Sequence, residues 1–176
     1  MKTKKLTQNI VLSALFLAMA YVFPFITGQI QQIGIMLCPM HIPVLICGFV
    51  CGWQWGLIVG FAAPILRSLA LGMPPMFPTA LSMAFELAAY GAATGILYKI
   101  LPKKKWCIYC ALISAMIIGR LVWGTARFIL SGLDVNKFGL SAFWTGAVTS
   151  AIPGIILQIA FIPLIIMSIE KFIKNR

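Results

Sequence analysis

Long apolar runs separated by short polar segments extend from one end of the chain to the other. A helix that crosses a bilayer needs about 20 residues, most of them apolar, and the pattern indicates six such segments. The predicted spans cover approximately residues 10–26, 40–53, 57–71, 79–101, 106–130 and 143–169. The pattern therefore predicts an all-α integral membrane protein, in which six transmembrane helices form a single membrane-embedded domain over residues 1–176.

Prolines interrupt two of the predicted spans. Pro39 and Pro43 break the second span, because proline removes a helical hydrogen bond and clashes with the preceding turn. The helix that continues after Pro43 has about 11 residues and a length of ~17 Å, which is too short to cross a membrane alone. The segment Ile33 to His41 is expected to enter the protein as irregular backbone, and Pro153 and Pro163 predict kinks in the sixth span.

The composition excludes a soluble protein. Hydrophobic residues make up 61% of the chain and charged residues only 10%, whereas ordinary soluble domains have about 45–50% apolar and about 25% charged residues. So few charges do not cover a water-facing surface, which excludes soluble enzymes and soluble binding modules. Aromatic residues within the apolar runs exclude a disordered chain.

The net charge of +11 lies mainly at the edges of the apolar runs. The basic residues at these edges are Lys2, Lys4, Lys5, Lys99, Lys103, Lys104, Lys105, Lys171, Lys174 and Arg176. With six spans and a cytoplasmic N-terminus, all of them fall on the cytoplasmic side, as the positive-inside rule requires. We therefore predict a multi-pass protein of the plasma membrane with both termini in the cytoplasm. Nucleic acid is not expected as a partner, because no stacking aromatics accompany a basic face.

Four ionisable residues lie within the predicted spans, namely Arg67, Glu86, Arg120 and Arg127. An arginine or aspartate at the centre of a membrane helix costs about 2.5–3.5 kcal/mol on insertion scales. The six-span topology places all four in the outer half of the membrane, where their charges sum to +2. This convergence favours a ligand site. The alternative is a structural pair of Glu86 with one arginine, while the other arginines extend to the lipid headgroups.

Aromatic residues share helix faces with these charges. Arg120, Trp123 and Arg127 lie on one face of the fifth span, and Glu86 and Tyr90 lie on one face of the fourth. Guanidinium groups combined with aromatic rings suit a small anionic or polar ligand that also has a flat or apolar part.

The roles of His41 and of the cysteines can each be interpreted in more than one way. His41, between two prolines, either contacts a ligand or accepts a proton, or it caps the following helix. No second histidine accompanies it, so no metal site is predicted. Cys107 and Cys110 have CxxC spacing, but a single such pair is weak evidence for zinc or redox chemistry. We interpret the cysteines as small apolar residues that fill the bundle.

Small residues at fourfold spacing indicate close helix contacts. Glycine recurs every four residues from Gly48 to Gly60, which we interpret as packing within the bundle. Ala14 and Ala18 form a similar step on the first span and are candidates for docking another membrane subunit.

Several strings distributed along nearly the whole chain carry a family resemblance. They are Ala14-Leu-Phe-Leu-Ala18, Pro39-Met-His-Ile-Pro43, Gly72-Met-Pro-Pro75, Glu86-Leu-Ala-Ala-Tyr90-Gly91, Gly119-Arg120, and Pro153-Gly154 with Gln158. They resemble the substrate-binding S components of energy-coupling factor (ECF) vitamin transporters. The resemblance implies a non-enzymatic subunit that captures a vitamin from outside and then associates with a T subunit and two ATPase subunits. It also implies that Ala14 and Ala18 contact the T subunit, and that ATP is used by the partners while this chain carries no cofactor.

The expected substrate-binding residues follow from the charges and aromatics rather than from the resemblance. They are Arg120, Glu86, Trp123, Tyr90, Arg127, Arg67 and His41. They favour a carboxylate vitamin, with pantothenate as the first candidate and a pterin or a flavin after it. Two other classes stay open: a stand-alone proton-coupled secondary transporter of a small anionic solute, and a small integral membrane enzyme.

Overall fold

The computed structural model describes residues 2–26, 36–102, 104–134, 138–147 and 149–174, and the regular structure in these ranges is helical. The helices are α1 Lys2–Ile26, α2 His41–Cys51, α3 Trp53–Leu71, α4 Leu81–Ile100, α5 Lys105–Leu130, α6 Leu140–Ala147 and α7 Ile152–Lys174. A kinked turn, Met76–Ala80, leads directly into α4, and a short 3-10 turn, Thr149–Ala151, leads into α7.

Five helical segments in the described ranges are long and apolar enough to cross a membrane. They are Lys4–Phe25, Trp53–Leu71, Met76–Ile100, Lys105–Leu130 and Ile152–Phe172. Helix α2 has 11 residues and a length of ~17 Å, which confirms the short helix predicted after Pro43. In the described ranges the structure is thus an all-helical membrane bundle with five segments of membrane length and two shorter helices, α2 and α6.

Three helix boundaries differ clearly from those predicted, and the first is the start of α1, which begins at Lys2 and not at residue 10. The sixth predicted span, 143–169, is not continuous, because α6 ends at Ala147 and α7 begins at Ile152. Pro153 does not kink a long helix but stands in the first turn of α7, where its missing N–H is not needed. The chain turns at Gly52, whose φ of 94° favours glycine, and α3 therefore begins four residues earlier than the predicted span.

Helix α4 is the central helix, because it packs against α2, α3 and α5. Glycines allow its backbone to approach two of these neighbours. A Cβ atom at Gly91 would overlap the carbonyl of Gly56 on α3, and a Cβ atom at Gly60 would overlap the carbonyl of Leu87. On α2, a Cβ atom at Gly48 would lie 2.5 Å from the Gly91 carbonyl oxygen. These contacts confirm that the glycines at positions 48, 56 and 60 pack within the bundle.

The outer helices attach to this centre through a few polar contacts. Helix α1 packs against α2 and α3, and α7 packs against α2 and α5. The Cys47 thiol donates to the Ser13 hydroxyl at 3.9 Å, which joins α2 to α1. The Tyr98 hydroxyl donates to the Glu170 carboxylate, which joins the end of α4 to α7. Cys47 is fully buried in the core, in agreement with its interpretation as a filling residue, whereas Cys110 is exposed, so this interpretation is wrong for it.

We expect Gly56→Leu to lower the folded yield and the melting temperature of the protein in detergent. The new side chain would meet the backbone of α4 at Gly91, and overpacking of this kind typically costs about 1–3 kcal/mol. Ala70→Leu is the matched control, because Ala70 lies on the same helix but is exposed. Size-exclusion chromatography and thermal melting measure both. A Gly56→Leu protein that melts like the unmodified chain would contradict the packing assignment.

Candidate functional site

Glu86 on α4 lies at the centre of a buried group of polar side chains. Glu86 is only 1% exposed. Its Oε1 atom is 2.8 Å from Nη1 of Arg120 on α5 and 3.4 Å from Nε2 of His41 on α2. One carboxylate oxygen therefore contacts side chains from two other helices.

Tyr90 and Cys38 complete this group. Tyr90 lies one turn further along α4, and its ring meets the ring of His41 edge-on with the centroids 5.2 Å apart. On its other side the Tyr90 ring packs on Gly119, where a Cβ atom would approach it to 2.8 Å. Arg120 donates from Nη2 to the Cys38 sulfur at 3.7 Å. We refer to Cys38, His41, Glu86, Tyr90 and Arg120 as the Glu86 cluster.

Irregular backbone before α2 places two members of the cluster. Cys38 has a positive φ of 47°, and its carbonyl accepts a hydrogen bond from the His41 N–H at 3.0 Å. This turn starts α2 at His41, within reach of Glu86. Helix α7 packs on the residues just before the turn, since a Cβ atom at Gly154 would lie 2.7 Å from the Met36 carbonyl oxygen. The predicted irregular backbone is confirmed for residues 38–40, but it is wrong for Met36, Leu37 and His41, which are helical, and residues 27–35 lie outside the described ranges.

Several buried polar atoms have no hydrogen-bond partner among the described residues. They are Nδ1 and Nε2 of His41, Oε1 of Glu86, Nε of Arg120 and Oε1 of Gln158, so the contacts of Glu86 Oε1 are ion-pair contacts without hydrogen-bond geometry. Buried polar atoms are usually hydrogen-bonded, so these atoms are suited to bind a polar ligand. Gln158 is 2% exposed and lies one turn after Gly154 on α7. It was not among the expected site residues, although an amide within an apolar span was a sequence signal for it.

Arg67 lies outside the Glu86 cluster. It is 4% exposed, and its Nη1 atom donates to the main-chain carbonyl of Tyr21 at 2.9 Å. Its guanidinium also lies over the ring of Phe25, 5.1 Å from the centroid. Arg67 thus fastens α3 to the end of α1, and it does not extend to the surface as the structural interpretation expected.

Trp123 and Arg127 follow Arg120 along α5, but their contacts are with residues outside the Glu86 cluster. The Trp123 ring packs on Phe138 and Phe143, with centroid distances of 5.6 and 6.3 Å. Arg127 donates from Nη1 to the Thr79 hydroxyl at 3.1 Å, which joins α5 to the kinked turn. The structure therefore brings together His41, Glu86, Tyr90 and Arg120, and it places Trp123 and Arg127 about one and two turns away.

The charges do not form the single +2 group that the sequence suggested. Glu86 and Arg120 neutralise each other, whereas Arg67 and Arg127 bind to groups elsewhere. The structural pair of Glu86 with one arginine is present, and it is surrounded by unpaired polar atoms. In the described ranges no group of three or more histidine, cysteine or acidic side chains could hold a metal ion.

A family model described as "ECF transporter, substrate-specific component" matches residues 8–169 of the chain. The match includes the whole Glu86 cluster, Gln158, and the small residues of α1. No curated protein and no solved structure matches the chain.

We expect Arg120→Met to destabilise the protein strongly, because it leaves the Glu86 carboxylate buried without its cationic partner. Breaking one side of a buried ion pair costs about 3–5 kcal/mol, whereas replacing both partners by uncharged groups is often nearly neutral. The double variant Glu86→Gln/Arg120→Met should therefore melt closer to the unmodified protein than Arg120→Met alone. Thermal melting in detergent measures the difference. Equal melting temperatures for the two variants would show that the pair does not hold the helices together.

Proposed function

The chain belongs to the family of ECF transporter substrate-specific components, and from this premise we propose that it captures a carboxylate vitamin from outside the cell. Proteins of this family are the substrate-binding subunits of membrane transporters. The protein is accordingly a multi-pass protein of the plasma membrane that binds a small molecule and works with T and ATPase subunits. More specifically, we propose that two ATPase subunits and one T subunit complete the importer. ATP is then used by the ATPase subunits and not by this chain.

The observation that supports a ligand site is the Glu86 cluster with its unpaired polar atoms. Arg120 is its cation, Tyr90 has a hydroxyl to donate, and Nδ1 of His41 and Oε1 of Gln158 have no protein partner in the described residues. A carboxylate on the ligand would meet Arg120, and its apolar part would extend along α5 towards Trp123. Pantothenate is our first candidate, followed by a pterin and a flavin.

We also propose that the chain crosses the membrane six times with both termini in the cytoplasm. In this topology α2 belongs to the second crossing. The exposed lysines at the start of α1, at the start of α5 and near the end of α7 then share the cytoplasmic side. The Glu86 cluster falls in the outer half of the membrane, which suits capture of a substrate from outside.

The proposed docking surface for the T subunit is a groove between α1 and α3. Ala14 and Ala18 are exposed, and they line the groove together with Leu17, Tyr21, Val22, Leu66 and Ala70. Small side chains allow a helix of another subunit to approach closely. The groove lies beside Arg67, which fixes the end of α1 to α3.

A stand-alone proton-coupled transporter is the second candidate, because His41 and Glu86 are buried beside each other, with Nε2 and Oε1 3.4 Å apart, and would serve as its proton relay. Such a carrier would transport without any ATPase. A membrane enzyme is less well supported, since it would need its acid and base groups near the cytoplasmic interface. Uptake into cells or vesicles with and without the ATPase subunits separates the two transporters, and mass spectrometry of ligand released from the purified protein identifies the substrate.

We expect Arg120→Gln to weaken binding of the carboxylate vitamin by about two orders of magnitude, because a charge-assisted contact in a desolvated site is lost. Arg67→Gln should cause a smaller loss, since Arg67 binds to the Tyr21 carbonyl and not to the cluster. Titration of both variants with pantothenate measures the two affinities. Unchanged affinity in Arg120→Gln, or a native ligand that is neutral or cationic, would refute the proposal that Arg120 binds an anion.

Ala14→Trp and Ala18→Trp should abolish uptake while substrate binding to the isolated subunit stays intact, because the indole would keep the partner helix away from the groove. Ile117→Trp is the control, because Ile117 is 59% exposed on α5, away from the groove, and this variant should transport normally. The measurements are vitamin uptake by the assembled transporter and ligand titration of the subunit alone. Normal uptake by both alanine variants would remove the docking assignment.

A further inference from the structure

The Glu86 carboxylate occupies Nη1 of Arg120, one of the positions on this cation to which an anionic ligand would bind. The same Oε1 atom contacts Nη1 of Arg120 at 2.8 Å and Nε2 of His41 at 3.4 Å. An anion that approaches Arg120 must therefore share this cation with Glu86 or take its place.

The titratable and charged side chains around Oε1 of Glu86 come from several helices. Helix α4 contributes Glu86 and Tyr90, α5 contributes Arg120, α2 contributes His41, and the turn before α2 contributes Cys38. On α3, which also packs on α4, the charged residue is Arg67, and it is bound to the Tyr21 carbonyl. The buried polar residue of α7 is Gln158, which carries no charge. The acid of α7, Glu170, is bound to Tyr98, about 18 Å from Glu86 along α4.

A second anion in this cluster creates a charge imbalance. The pair of Glu86 and Arg120 is neutral, so one added carboxylate would leave a net charge of −1. Burial of an uncompensated charge is strongly unfavourable. One proton taken up by His41 and Glu86 together would restore neutrality, since Nε2 of His41 and Oε1 of Glu86 lie 3.4 Å apart and neither atom has a hydrogen-bond partner among the described residues.

We propose that Glu86 is a resident counter-anion that the ligand carboxylate replaces on Arg120, while His41 and Glu86 together take up one proton from water. No covalent bond forms or breaks other than the bond to this proton. The ion pair changes from Arg120 with Glu86 to Arg120 with the ligand, and Glu86 stays with His41. This inference rests on the proposed function, because it requires a carboxylate ligand.

The exchange predicts that binding weakens as the pH rises. Because one proton is taken up for each ligand bound, the dissociation constant should increase by up to about tenfold per pH unit. A neutral analogue with a carboxamide in place of the carboxylate should not show this dependence, because it brings no charge. Glu86→Gln should remove the competing anion, and the pH dependence should disappear with it.

Isothermal titration calorimetry tests the exchange, with pantothenate and its carboxamide as probes between about pH 5 and about pH 8. Two buffers with different ionisation enthalpies report the number of protons taken up. We expect about one proton for pantothenate with the unmodified protein, and none with Glu86→Gln. Glu86→Gln should also bind pantothenate at least tenfold more tightly at the upper end of the pH range. Glu170→Gln is the matched control and should behave like the unmodified protein.

Each outcome decides the matter. If Glu86→Gln binds pantothenate more weakly than the unmodified protein, Glu86 is a direct ligand contact and the exchange is wrong, while the transporter role stands. If the unmodified protein takes up no proton, the exchange is wrong even where Glu86→Gln fails to fold. If pantothenate binds neither protein, both the exchange and the pantothenate assignment fail, and the ligand that copurifies still tests the role in substrate capture.

Discussion

The carboxylate of Glu86 is buried in an apolar bundle, and it is stable there only with a compensating cation close by. Arg120 supplies this cation at 2.8 Å, and Nε2 of His41 lies 3.4 Å from the same oxygen. The two partners come from helices on either side of α4, so the pairing fixes α2 and α5 at matching positions along α4. The short length of α2 follows from the same arrangement, because the helix begins at the residue that contacts Glu86.

Close backbone packing supports this arrangement on an adjacent face of α4. The glycines of α2, α3 and α4 bring these helices into direct backbone contact, so α4 has little freedom to rotate about its axis. A rotation of about 100°, the angle between successive residues, would move Glu86 away from both partners. The apolar glycine contacts and the polar cluster thus specify the same orientation of α4, although they lie on different faces.

The sequence predicted the helical membrane bundle, the short second helix, and four of the residues in the Glu86 cluster. These predictions depend on apolar run length, proline positions and helical spacing, which are local properties. It did not predict which arginine pairs with Glu86, because topology gives the depth of Arg67 and Arg120 but not the direction in which each helix faces. The contact between Arg67 and the Tyr21 carbonyl could not be anticipated either, since any main-chain oxygen is chemically equivalent in the sequence. The break before α7 was missed because Pro153 is compatible with both a kink and a helix start.

Helix α2, at ~17 Å, is about half as long as the ~30 Å hydrocarbon layer of a bilayer, so at least one of its ends lies inside that layer. Its first turn carries backbone N–H groups without helical partners and about half a positive charge from the aligned peptide dipoles. His41 stands at this end, and Glu86 lies beside it. The peptide dipoles therefore add a fixed electrostatic field that favours negative charge at this place. Since the field belongs to the backbone, it acts equally on a side-chain carboxylate and on a bound anion, and it does not change when one replaces the other.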